Sequence, residues 1–107
     1  MKKQETILQD KIRVGVSDIA VTFRANNFNI KVGDRYFNSG LPKGFPDLFG
    51  YRKSDKKFFV IEVKTDKGNP SKEQKQILKS FMAQGVISGI ARSVEDAREI
   101  ILYGDHK

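Results

Sequence analysis

The chain has 107 residues, enough for one domain with one core and not comfortably for two. Hydrophobic residues make up 38% and charged residues 31%, a balance that excludes a disordered chain, and no apolar run approaches the roughly 20 residues of a membrane span. The net charge of +7, from 20 Lys and Arg against 13 Asp and Glu, points to a polyanionic partner, most often nucleic acid.

Cysteine is absent, which excludes disulfides and thiolate-zinc sites and suits a reducing compartment. Met1-Lys2-Lys3-Gln4-Glu5 lacks the long apolar segment of a signal peptide, so a cytoplasmic location is expected. The one histidine, His106, is next to the last residue. It is expected to be mobile and without function, which argues against a catalytic triad, a two-histidine metal site or a histidine base.

In chain order, the first element is a helix from about Lys3 to Val16. Leu8, Ile12 and Val16 recur every four residues on one face, with Glu5 and Gln9 on or beside it. An acidic residue there needs a partner. From Ile19 to about Phe37 the chain reads as β. Ile19–Phe23 is one strand and Phe28–Val32 alternates with period two, with turn signals at Asn26-Asn27 and Gly33-Asp34. Asn38 to Pro46, with two Gly and two Pro, reads as a loop. Leu48–Arg52 and Phe58–Lys64 read as a hairpin across Ser54-Asp55-Lys56-Lys57.

Ser71 is a good N-cap with Gln74 in the capping-box position, and the helix it opens should run to Gly85. Ile77, Leu78, Phe81 and Met82 form its inward stripe, and Lys72, Lys75 and Lys79 a basic ridge. Val86–Ala91 is a short buried strand. Ser93 caps a last helix that turns Val94, Ala97, Ile100 and Ile101 inward. The order α-β-β-β-β-α-β-α implies one α/β domain over residues 1–107, a mixed sheet flanked by helices.

The chemistry lies in Pro46-Asp47, followed fifteen residues later by Glu62-Val63-Lys64. In a strand Glu62 and Lys64 share a face, and Phe59, Ile61 and Val63 share the other. An acid and a base at the end of an apolar strand are costly near a core, and a bound cation would offset that cost. Mg²⁺ or Mn²⁺ held by carboxylates can activate water and neutralise charge in phosphodiester hydrolysis. Asp47 and Glu62 supply carboxylates and Val63 a carbonyl. Lys64 is placed to orient the attacking water or take its proton.

These residues resemble the PD-(D/E)XK nucleases, whose signature is Pro-Asp followed by Glu-x-Lys. Gly44-Phe45-Pro46-Asp47-Leu48, Glu62-Val63-Lys64-Thr65, Gly68, Ser71, Gln74 and Gly85 follow the order of the virus-type replication-repair nuclease (VRR-NUC) domain, as do Glu5 and Arg24-Ala25-Asn26. The resemblance runs from about Glu5 to Ile100. It implies a restriction-endonuclease-like α/β core and a metal-dependent nuclease. It also implies metal ligation by Asp47 and Glu62, catalytic support from Lys64, Glu5 near the metal, and Gln74 shaping the site. Stand-alone domains of this kind, often from phage or bacteria, are associated with homodimers that resolve four-way DNA junctions. The same domain inside larger proteins is associated with flap cleavage.

A structure-selective DNA endonuclease, in the cytoplasm of a bacterial host if phage-encoded, is therefore expected. Arg24, Lys43, Lys67, Lys72 and Lys75 are its candidate DNA contacts. The alternatives are a monomeric flap or general DNA nuclease and a non-catalytic DNA-binding module of the same fold. Single residues also have plainer readings. Gln74 is a simple cap, Glu5 an acid favoured by the helix dipole, Arg24 and the lysine ridge a solvated surface, and Phe45 a packing residue.

Overall fold

The computed structural model describes residues 4–25, 29–38 and 40–105. Lys3, Asn26-Asn27, Phe28 and His106, which figure in the sequence reading, lie outside the described residues. Helix α1 spans Gln4–Gly15, with Glu5 in its first turn and Arg13 in its last, the polarity the helix dipole favours. Four strands form the main sheet: β1 (Ala20–Arg24), β4 (Leu48–Arg52), β5 (Phe58–Val63) and β6 (Ile87–Ala91), in the order β1-β4-β5-β6. The first two pairings are antiparallel and the β5–β6 pairing is parallel, so the sheet is mixed. A parallel neighbour requires a crossover, and α2 (Lys72–Ala83) supplies it.

Strand β5 is central, and its residues from Phe59 to Val63 are buried on both faces. Phe59, Ile61 and Val63 pack with Leu48 and Ile87 against Ile12 and Val16 from the α1 side and Ala97 and Ile101 from α3 (Val94–Tyr103). On the opposite face Val60 and Glu62 are covered from the α2 side, where Leu78 is buried. Glu62 thus stands at the end of an apolar strand, but enclosed rather than on an open face. An edge-to-face and tilted chain of rings, Phe45, Phe81, Phe58, Phe49 and Phe23, crosses this side. Phe23 and Phe58 remain 48% and 41% exposed there.

Two features depart from the sequence expectation. The run Arg35–Asn38 forms a strand, β3, which pairs antiparallel with β2 (Asn29–Val32) in a separate two-stranded sheet. The Gly33-Asp34 turn is thus a hairpin, and the described elements number nine rather than eight. Met82 is exposed rather than part of the inward stripe of α2. Phe81, one position earlier, takes the inward place by closing on Phe45 and Phe58.

Two arginine clamps fasten α3. Arg52, buried at the end of β4, holds Asp55 of the β4–β5 turn through Nε and Nη2. The same guanidinium reaches Asp105 (3.0 and 3.1 Å) and the carbonyl of Ile101 (2.8 Å). Arg98 pairs with Asp18 at 2.7 Å and donates to the carbonyl of Gly15 at the end of α1. No helix among the described residues is long and apolar enough to cross a membrane.

Candidate active site

The loop that carries Asp47 rests on the start of α2. Gly44 has φ of 86°, and a Cβ there would come within 2.9 Å of the Glu73 backbone, so both conformation and space call for glycine. Pro46 is fully buried behind it. Asp47 then faces β5, where its Oδ2 accepts the Val63 amide at 2.9 Å. Its backbone carbonyl accepts from Ala25 at 2.8 Å, which ties the loop to the end of β1.

Glu62 is 1% exposed, and neither of its carboxylate oxygens has a hydrogen-bond partner. Burial first, and the Asp47 charge second, push its carboxyl up to about 8, with Lys64 pulling the other way. The Lys64 ammonium stands 3.6 Å from Glu62 Oε2 and 3.9 Å from Glu5 Oε2. Its side chain is only 12% exposed. Strand β5 ends at Val63, so Lys64 is the first residue beyond it, held in line by its backbone N–H, which donates to the Ala91 carbonyl of β6 at 3.1 Å.

Asp47, Glu62, Val63, Lys64 and Glu5 are therefore brought to one place, although Glu5 is 42 residues or more from the others in sequence. Glu5 arrives through Lys64. Among the described residues no three acidic or imidazole groups gather around one cation position. The residues do fit a cation between Asp47 and Glu62. A buried carboxylate with neither oxygen hydrogen-bonded is expensive, and a divalent ion supplies the missing ligand contact.

Gln74 sits at the start of α2 with its side chain committed to a capping box. Its Oε1 accepts the Ser71 amide (2.8 Å), and its own amide donates to Ser71 Oγ (3.1 Å). Phe45 is a packing residue, in contact with Phe49 and Phe81. Lys43, Lys67, Lys72 and Lys75 are all exposed. Gly44 packed on Glu73 brings the loop bearing Lys43 against the helix bearing Lys72 and Lys75. Arg24 is exposed and lies 3.8 Å from Asp10. Lys67 borders a groove of about 560 Å³ between α1 and the segment after β5, with Lys11 and Arg92 also on its walls.

Arg92 was beyond the reach of sequence reading. It lies 28 residues past Lys64, and only the parallel β5–β6 pairing brings it alongside. Basic character just after a buried strand was the one available signal.

The family model described as the VRR-NUC domain matches residues 24–95, more than half of the chain and a span that includes Asp47, Glu62, Lys64 and Gln74. Glu5 lies outside that span, and its place in the site rests on geometry alone. No curated protein matches the chain. The mixed α/β sheet and the matched span agree, and the chain belongs to the VRR-NUC family, whose domain implies nuclease activity on DNA.

Proposed function

We propose that the chain is a divalent-metal-dependent, structure-selective endodeoxyribonuclease that resolves four-way (Holliday) junctions as a homodimer. Asp47, Glu62 and the Val63 carbonyl would hold Mg²⁺ or Mn²⁺. The observation that carries the metal dependence is the buried Glu62 carboxylate with neither oxygen hydrogen-bonded beside Asp47. When bound, the ion supplies charge neutralisation and Lewis-acid polarisation of the phosphodiester. The chain's own residues do the rest. Lys64 orients the attacking water or takes its proton, and offsets negative charge at the scissile phosphate. Glu5 steadies the Lys64 ammonium alongside Glu62. Gln74 fixes the first turn of α2, on which the Asp47 loop rests. Arg24, Lys43, Lys67, Lys72 and Lys75 take DNA phosphates, so binding should weaken steeply with salt.

Dimerisation draws support from Phe23 and Phe58, large apolar side chains that stay partly exposed on the α2 side of the sheet. A two-fold axis through such a face would set two sites against opposing strands of a junction.

The deciding experiment is a cleavage panel of duplex, single-strand, flap and four-way substrates with Mg²⁺, with Mn²⁺ and with chelator. Paired nicks on opposing strands of the four-way substrate, abolished by chelator, are expected. A monomer that cuts only flaps would move the assignment to a flap nuclease. DNA binding without cleavage in any metal would leave a binding module.

A further inference from the structure

Lys64 is held loosely by its charges. At 3.6 and 3.9 Å from two carboxylates, its ammonium makes no tight hydrogen bond to either, so packing has to fix a side chain with four rotatable bonds. The packing comes from the turn that follows. Gly68 donates to the Thr65 carbonyl at 3.1 Å and closes Thr65–Gly68 back toward the site. A Cβ at Gly68 would stand 3.5 Å from both Lys64 Cδ and Glu5 Oε2, so the turn lies directly against the two side chains.

One cation grips both ends of this turn. Arg92 Nη1 donates to the carbonyl of Thr65 and, at 2.7 Å, to the carbonyl of Gly68. Arg92 is itself anchored. Its amide donates to Asp96 Oδ2 at 2.9 Å in the first turn of α3, and its neighbour Ala91 accepts the Lys64 amide. Lys64 is thus tied to β6 through its backbone and to a turn that β6 also holds. Hydrogen bonds from a charged donor are roughly twice as strong as neutral ones, so this grip is the strongest local restraint on the turn.

We propose that Arg92 is a positioning residue for the cleavage reaction, fixing the Lys64 ammonium between Glu62 and Glu5 by holding both ends of the Thr65–Gly68 turn. This rests on the nuclease reading above. A displacement of about 1 Å in a catalytic group can cost on the order of a hundredfold in rate.

The test compares Arg92→Ala, Arg92→Lys and Lys64→Ala in the full chain on whichever branched substrate the wild type cuts in Mn²⁺. For Arg92→Ala, kcat should fall roughly tenfold to a hundredfold, with KM and calorimetric Mn²⁺ affinity within about twofold of wild type. Millimolar guanidinium, far below denaturing levels, should restore part of that rate to Arg92→Ala and none to Lys64→Ala. Arg92→Lys, able to reach one carbonyl, should lie between and serves if the alanine variant does not fold. In the metal-free protein, hydrogen exchange at the Gly68 amide should quicken at least tenfold in Arg92→Ala while the β5 amides stay protected. Wild-type kcat in a folded Arg92 variant, or a loss confined to KM, would overturn the proposal alone, provided Lys64→Ala is inactive. A wild type that cuts no substrate in any metal would overturn the nuclease reading and this inference with it.

Discussion

Glu62 is under two opposed demands, since the core around it disfavours charge and the proposed chemistry requires charge. Replacing it should therefore separate stability from activity. Glu62→Gln is expected to abolish cleavage and, above about pH 8 where the carboxyl ionises, to raise the thermal midpoint measured without divalent ions, because a buried charge with no hydrogen bond is removed. Asp47→Ala should likewise lose cleavage, and it relieves the neighbouring negative charge on Glu62. Mn²⁺ at about a hundred times its Kd should add about 2.7 kcal/mol to the wild type and little to Glu62→Gln, as differential scanning would report. Cleavage at the wild-type rate by either variant would remove the metal site. Lys64→Ala should lose at least about a hundredfold in rate, the scale of a positioned proton-transfer group, with Mn²⁺ binding still seen in calorimetry. Glu5→Gln should slow turnover more than Glu73→Gln, since Glu5 stands 3.9 Å from the Lys64 ammonium and Glu73 is exposed on α2. Equal, negligible effects would make Glu5 a helix-end acid and nothing more.

The elements are joined by charge as well as by the core, and that joint has a pH signature. Arg52 lowers the carboxyl pKa of Asp55 to about 2 and holds that of Asp105 well below the usual carboxylate range. A lowered carboxyl contributes stability that is complete above the unfolded value, about 4, and is lost as pH falls through the folded value. The urea midpoint of the wild type should therefore drop between about pH 4 and pH 2, and Asp105→Asn should be less stable at pH 7 with a shallower acid decline. Parallel curves for the two proteins would show that the clamp adds no pH-dependent stability.

Helices α1, α2 and α3 and strands β4, β5 and β6 were legible to within about two residues because local chemistry specifies them. Ser71 and Gln74 form the capping box they spell, and Leu8 and Ile12 repeat at the helical period. Strand β3 fell within the β stretch read from Ile19 to about Phe37 but was not resolved as its own strand, because four residues that pair only with β2 draw no pattern from the main core. In the site, Asp47, Glu62 and Lys64 stand out in the sequence, since an acid and a base at the end of an apolar strand need a reason. The Arg52 and Arg92 contacts do not, because each depends on which distant backbone the fold brings near.

At the scale of the whole molecule, the exposed rings Phe23 and Phe58 on the sheet are the surface a second copy would cover. If a second copy covers them, Phe58→Glu should place a charge in the interface and convert a light-scattering mass of about twice 12.2 kDa to one chain mass. Junction cleavage should then lose its paired nicks while single-site nicking survives. A wild type that is already monomeric at micromolar concentration would leave the rings to another partner.

The Arg52 and Arg98 clamps also bear on how the protein is made. They join residue 52 to 105 and residue 18 to 98. Ala97 and Ile101 complete the core around β5. A ribosome delivers Asp47, Glu62 and Lys64 well before α3, so a nascent chain holds the whole reactive set while the α3 half of the cover over β5 is still missing. Folding in such a topology waits for its distant contacts. Ribosome-bound chains stalled before Val94 should remain open to protease, and the cutting activity should appear in a single late step rather than build up during synthesis.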